Sequence, residues 1–299
     1  MESKSFPRRR FISALAATGL AGAKPRYQPK VAAQAYVWTQ VFYEQKKPLI
    51  EGLPEVYEST RKAGYKRIEV VSDFLMGEAL PRTKELIRKH GLEIPIVYHG
   101  GPLHEEAAAE KTIAATLNVA EAAKSIGASI IETNPNPKPK REAKTDAELA
   151  LQARFVSQLA DALAKRGQHL ILHHHDPEMA NNAREWRHLL HNTDPKKVGL
   201  CIDFDWVLQG GQEVFPLLKE AGSRVASFHL RNARNRVWTQ SLDEGDYDYP
   251  ALARFLQDGG FTGYLVVELA YRRDTKLTRS VAENLRLSRE YVEKTFSVR

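Results

Sequence analysis

From Lys24 onward, short apolar runs alternate with longer stretches whose apolar residues recur at helical spacing. The short runs are VAAQAYV (31–37), RIEVV (67–71), IPIVY (94–98), ASIIE (128–132), HLILH (169–173), VGLCID (198–203), VASFH (225–229) and YLVVE (264–268). Their length and β-branched content predict strands. The intervening and closing stretches predict eight helices, over 53–64, 79–91, 104–127, 146–167, 177–192, 212–222, 249–260 and 275–296. Gly64, Gly91, Gly127, Gly167 and Gly222 each stand just before a strand, where helices take a C-terminal glycine cap. Strands separated by helices pair in parallel. Eight such units predict one α/β domain, a (β/α)8 TIM barrel, over 24–299. A doubly wound open sheet is the alternative. The first strand is followed by no Gly-rich phosphate loop, which speaks against a nucleotide-binding version of it. The Pro-rich stretch NPNPKPKREAKTD (134–146) reads as a long loop after the fourth strand, not as a linker.

In such a barrel, chemistry sits at the C-terminal ends of the strands. Those ends carry Tyr36 and Trp38, Glu69, His99, Glu132 and Asn134, His173 and His175, Asp203 and Asp205, His229 and Arg231, and Glu268. Side chains along a strand alternate faces. If Asp203 faces the barrel axis, so do Cys201 and Gly199, and Leu200 and Ile202 face the helices. His173 inward brings Ile171 inward and turns Leu170 and Leu172 outward. His229 and Glu268 fit the same rule, with Phe228, Leu265 and Val267 outward. The run His173–His174–His175 is thereby divided: His173 and His175 face the mouth and His174 faces the helices. Any one of these residues alone reads best as a hydrogen-bonded core group. Four on neighbouring strands, His173, Asp203, His229 and Glu268, form a candidate metal site. Two imidazoles and two carboxylates suit one divalent ion: Mn, Co, Fe or Zn, with Mg a poorer match. Asp176-Pro177-Glu178 reads as a helix start, with Asp176 as N-cap and proline in the first turn. His188 and His191 fall on a helix beside Trp186 and Leu190 and read as packing or surface groups.

Composition changes this picture only at the N-terminus. MESKSFPRRRF is basic, ISALAATGLAGA is short and apolar, and Ala21-Gly22-Ala23 has the form of a cleavage site. The stretch is too short to span a bilayer. PRRRFI resembles the twin-arginine export signal, so residues 1–23 are expected to be removed and the protein to be exported or periplasmic. Losing four basic residues and Glu2 lowers the formal charge from +7 to +4. That balance argues against nucleic acid as a partner, and no membrane contact is expected after cleavage. One cysteine, Cys201, rules out an intramolecular disulfide.

GYKRIEVV, CIDFDW, SFHLRN, GGFTGYLVVE and LILHHHDPEM together resemble the xylose isomerase-like TIM-barrel superfamily, the sugar phosphate isomerase/epimerase group. The likeness covers essentially the whole chain after the signal. It implies a divalent metal on the positions of His173, Asp203, His229 and Glu268. It also shows departures. His173 stands where epimerases of the group carry glutamate, Trp206 where many carry histidine, and Arg231-Asn232 where they carry Lys-Asp. The resemblance implies proton abstraction next to a carbonyl, with the metal as Lewis acid. Glu268 is the first candidate base, with Glu69, His175 and Glu178 as alternatives. Trp38, His99, Asn134, Trp206 and Arg231 are the candidate substrate contacts. The substrate class is a small carbohydrate, and export points to an unphosphorylated sugar, keto-sugar or polyol. Reprotonation would make the protein an isomerase or epimerase, the leading expectation. Loss of a β-hydroxyl or β-glycoside would make it a dehydratase or lyase. An endonuclease IV-like nuclease and a non-catalytic sugar-binding barrel are the more distant alternatives.

Overall fold

The computed structural model describes residues 26–298, so the expected signal segment lies outside the described residues. The strands are β1 (Lys30–Gln34), β2 (Ile68–Val71), β3 (Ile96–Tyr98), β4 (Ile130–Thr133), β5 (His169–Leu172), β6 (Val198–Asp203), β7 (Val225–Leu230), the short β8 (Ala233–Arg234) and β9 (Val237–Trp238), and β10 (Tyr264–Val267). The helices are α1 (Tyr36–Gln45), α2 (Leu49–Lys62), α3 (Ala79–His90), α4 (Glu106–Lys124), α5 (Asp146–Ala164), α6 (Asp176–Asn192), α7 (Phe204–Gln209), α8 (Val214–Ala221), α9 (Tyr249–Asp258) and α10 (Val281–Phe296). Eight strands close in the order β1-β10-β7-β6-β5-β4-β3-β2, with β1 joined to β10 in parallel. The expected TIM barrel is the fold.

Local chemistry sets several boundaries. Thr145 and Glu148 form a reciprocal capping box at the start of α5, with contacts of 3.2 and 2.6 Å. Asp248 and Ser280 cap α9 and α10 more simply, through one side-chain acceptor each. Gly91 ends α3 at φ +60°, the left-handed conformation that glycine adopts without strain.

Strand parity divides the core in two. Ala32, Ile96, Ile171, Cys201 and Val266 pack together inside the barrel. Leu170, Leu172, Leu200, Ile202, Phe228, Leu265 and Val267 belong to the larger core between strands and helices. Among the described residues, no helix is long and apolar enough to cross a membrane.

Four elements differ from the expected pattern. The first strand stops at Gln34, and Tyr36 and Val37 open α1 instead. A short α7 follows β6 directly. The strands β8 and β9 form an antiparallel hairpin that pairs Ala233 with Trp238. The expected helix over 177–192 is broken, because Asn181, Asn182 and Ala183 take φ values of 52, 59 and 53°. Its N-cap is His175 rather than Asp176, which sits inside the first turn.

Candidate metal centre and active site

The ends of β5, β6, β7 and β10 bring His173, Asp203, His229 and Glu268 together, with ligand atoms all within 4.8 Å of one another. Asp203 and His229 are direct partners across β6 and β7. His173 and Glu268 lie one residue beyond their strands, and each is held by one further ladder bond. The His173 amide donates to the Thr133 carbonyl at 2.9 Å, and the Glu268 amide to the Leu230 carbonyl at 2.9 Å. The third histidine of the run is tied elsewhere: His174 Nε2 accepts from the Asp203 amide at 3.2 Å and braces the β5–β6 seam.

The charges fit a cation. Burial, reinforced by His229, pushes the His173 pKa well down, so the ring is neutral. Neither of its nitrogens has a hydrogen-bond partner, although the residue is buried. An unpartnered buried imidazole facing carboxylates is what a metal ligand looks like. His229 presents Nδ1 to Glu268 at 2.8 Å, and its Nε2 lies 3.1 Å from Glu69 and 3.3 Å from Glu132. A proton on Nε2, donated to Glu69, leaves the Nδ1 lone pair for a metal. Burial opposes charge on His229, yet the neighbouring carboxylates Glu69 and Glu268 help to raise its pKa. Surroundings that hold a proton there would also hold a cation. Burial and then Glu69 lift Glu132 well above the carboxylate range. Burial would lift Glu268 too, but Arg231 and then His229 hold it well below that range. Arg231 Nη2 lies 2.8 Å from both Asp203 Oδ2 and Glu268 Oε2. Its guanidinium sits over the Trp206 and Trp238 rings, 5.1 and 5.0 Å from their centroids.

Above this cluster lies a cavity of about 210 Å³, bordered by Gln34, Tyr36, Gln40, Val71, Tyr98, His173, His175, Trp206, His229, Arg231, Trp238 and Glu268. His175 meets Trp206 edge to face at 5.3 Å. Burial pushes its pKa down to about 3, so its ring too is neutral.

Comparison with known proteins agrees with this architecture. The model of the xylose isomerase-like TIM barrel family matches residues 57–291. The chain belongs to that family. One relative is an inosose dehydratase from Geobacillus thermodenitrificans, 24% identical over 174 residues, which cover 52% of this chain and 57% of the relative. This chain thus spans about half the length of the curated relatives it matches. The fold is shared with L-ribulose 3-epimerase at a TM-score of 0.74 and 15% identity, over 90% of this chain and 95% of the other. It is shared with 3-keto-D-glucoside 4-epimerase from E. coli at 0.69 and 17% identity, over 89% of this chain and all of the other.

Within this xylose isomerase-like barrel, the remaining candidates separate by place. His175, Trp206, Arg231 and Glu268 border the cavity. Trp38 does not: it is buried on α1 against Phe42, with ring centroids 5.9 Å apart. Glu69 points inward but is fully buried and engaged by His229. His99 pairs with Ser72 at 3.0 Å, outside the cavity lining. Asn134 is buried in the loop after β4, its amide reaching the Pro135 carbonyl at 3.4 Å. Glu178 closes the first turn of α6 by accepting the His175 amide at 2.8 Å. Trp38, Glu69, His99, Asn134 and Glu178 therefore lie outside the lining of this cavity.

Sequence reasoning missed Gln34, Gln40, Tyr98 and Trp238. Trp238 reaches the cavity on the β8–β9 hairpin, whose turn residues Asn235 and Arg236 both have positive φ. Two such residues joining a two-stranded hairpin are a recognised turn form, and Asn235 was its one legible signal. Trp238 Nε1 donates to Asp205 Oδ2 at 2.9 Å, and Tyr247 donates to Asp205 Oδ1. Asp205 therefore anchors the hairpin rather than a ligand.

Glu178 gives a stability test away from the cavity. Burial, then the neighbouring Glu185 carboxylate, push its pKa up to about 7 from the ordinary 4.5. Between those values the folded chain keeps a proton that the unfolded chain has released, so stability falls as pH rises through that window. The expected loss is about 1–3 kcal/mol. Glu178→Gln keeps an acceptor for the His175 amide and removes this slope. Urea unfolding of both proteins at pH 5 and pH 8 checks it. Equal pH dependence in the two would contradict the assignment.

Proposed function

We propose that this protein is a divalent-metal-dependent lyase of the dehydratase type. It removes the proton next to the carbonyl of an unphosphorylated keto-sugar and then expels a β-hydroxyl or β-glycosidic group. The observation that carries this reading is the lining of the cavity: among the described residues, Glu268 is its one carboxylate. Epimerisation at one carbon needs two opposed bases. Elimination needs one base and a way for the leaving oxygen to pick up a proton. The weight therefore moves from isomerase/epimerase, the leading expectation from sequence, to elimination. The dehydratase name of the curated relative supports the same choice.

A divalent cation bound by His173, Asp203, His229 and Glu268 would polarise the carbonyl and an adjacent hydroxyl as a Lewis acid. The chain supplies the rest. His175, a neutral imidazole, and Glu268 border the cavity from strand ends that β6 and β7 separate, and they are the candidates to take the α-proton. Tyr98 has its pKa raised by burial and then by the carboxylates Glu132, Glu268 and Glu178, so it keeps its proton and can donate it to a departing oxygen. Trp206 and Trp238 give the sugar ring aromatic surface, and Arg231 keeps Glu268 ionised. The export-type N-terminus supports an unphosphorylated substrate, because sugar phosphates are mainly intracellular.

Epimerisation is the second reading. His175 as partner to Glu268 favours it, as do the named activities of the two structural neighbours. Incubating the metal-loaded protein with a keto-glycoside in deuterated water separates the two. Release of the aglycone with an unsaturated keto-sugar is the expected result. Deuterium at the α-carbon of an otherwise intact glycoside would overturn elimination in favour of epimerisation. No change in either would leave a binding protein.

A further inference from the structure

A second and larger cavity, about 730 Å³, opens beside the first. One wall is α1, with Tyr36, Thr39, Gln40 and Tyr43, and the other is the loop after β10, from Tyr271 to Leu277. Tyr36 and Gln40 border both cavities, so the two adjoin at a neck made of these side chains. The neck is fixed. Gln40 Nε2 donates to the Tyr271 carbonyl at 3.1 Å, and the Tyr271 amide donates back to Gln40 Oε1 at 3.0 Å.

The inner cavity lies below the roughly 300–1,000 Å³ of sites that enclose drug-sized ligands. It has room for a single sugar ring. The outer groove is built differently. Tyr36 and Tyr43, seven residues apart, share one face of α1, and they are 39% and 71% exposed. Arg273 lies over the Tyr43 ring at 5.8 Å. Exposed aromatic surface beside a polar catalytic cavity is what a ring-shaped ligand stacks on.

We infer that the groove is the subsite for the leaving half of a glycoside, a second sugar or an aromatic aglycone packed on Tyr43. This rests on the elimination reading above and narrows the substrate class from keto-sugars in general to keto-glycosides. The sugar that reacts sits in the inner cavity, its glycosidic oxygen passes the Tyr36–Gln40 neck, and the aglycone lies along α1.

The test compares a phenyl keto-glucoside with the matching free keto-glucose, on the wild type and on Tyr43→Ala. Tyr43 is mostly exposed, so the variant is expected to fold. The wild type should show a lower KM for the glycoside, and Tyr43→Ala should shrink that preference about 5- to 10-fold. Equal KM values for the two substrates in the wild type, or a preference untouched by the variant, would overturn the inference. A binding arm works without turnover. Calorimetry of phenyl β-glucoside against Glu268→Gln, with and without Tyr43→Ala, should show the same loss of affinity. If that loss is seen while neither keto-sugar reacts, the groove stands and the proposed reaction fails. If affinity is unchanged and Tyr43→Ala instead alters the elution volume, the groove belongs to a second copy of the chain and the inference fails.

Discussion

Purified His173→Ala is expected to lose its divalent metal, with affinity falling more than about 100-fold and turnover falling with it. The ring is neutral, buried and without a hydrogen-bond partner, so the substitution removes a ligand and breaks no hydrogen bond. Changes to groups that merely orient ligands already cost about 10- to 100-fold in metal affinity, and a ligand itself should cost at least the upper end of that range. Metal analysis of dialysed protein checks the affinity. Circular dichroism establishes that the barrel persists. Unchanged metal content in a folded variant would remove His173 from the site and leave Asp203, His229 and Glu268 one short of a four-ligand set.

Arg231→Gln is expected to separate two states of the protein that otherwise look alike. In chelator, the guanidinium is the cation between two buried carboxylates, Asp203 and Glu268. Removing one partner from such a cluster costs about 3–5 kcal/mol, because the remaining charges stay buried. For a barrel of this size, that corresponds to a fall in melting temperature of roughly 10 °C. Saturating divalent metal restores the missing positive charge, so the loss should shrink to a few degrees. Thermal unfolding in chelator and in excess metal measures both. Equal losses in the two conditions would mean that Arg231 acts through its packing between Trp206 and Trp238 and not through charge.

The barrel and its four converging side chains were legible because both rest on periodicity. A strand of period two must turn Cys201 and Asp203 the same way, and the interior cluster containing Ile171, Cys201 and Val266 follows the same rule. Depth and cover were not legible. Glu69 points inward as parity requires, yet His229 lies against its carboxylate. Trp38 was lost to a boundary. The apolar run VAAQAYV reads as one strand, but the backbone turns into α1 after Gln34, and a side chain expected at the mouth packs against Phe42. Glu178 was legible as first-turn chemistry, and its carboxylate serves that turn. Tyr98 and Trp238 escaped notice because aromatic residues at a strand end or on a hairpin carry no mark in sequence that separates lining from packing. The export signal rests on its sequence pattern alone.

Cys201 offers a reporter at the centre of the barrel. Its thiol is fully buried on the inner face of β6, among Ala32, Ile96, Ile171 and Val266, and burial pushes its pKa well up. A protonated, enclosed thiol is inert to oxidants and to alkylating reagents. It becomes reactive only when the strands part. Because it is the chain's one cysteine, a single alkylation site reports how often the centre of the barrel breathes, in native protein and without an added label.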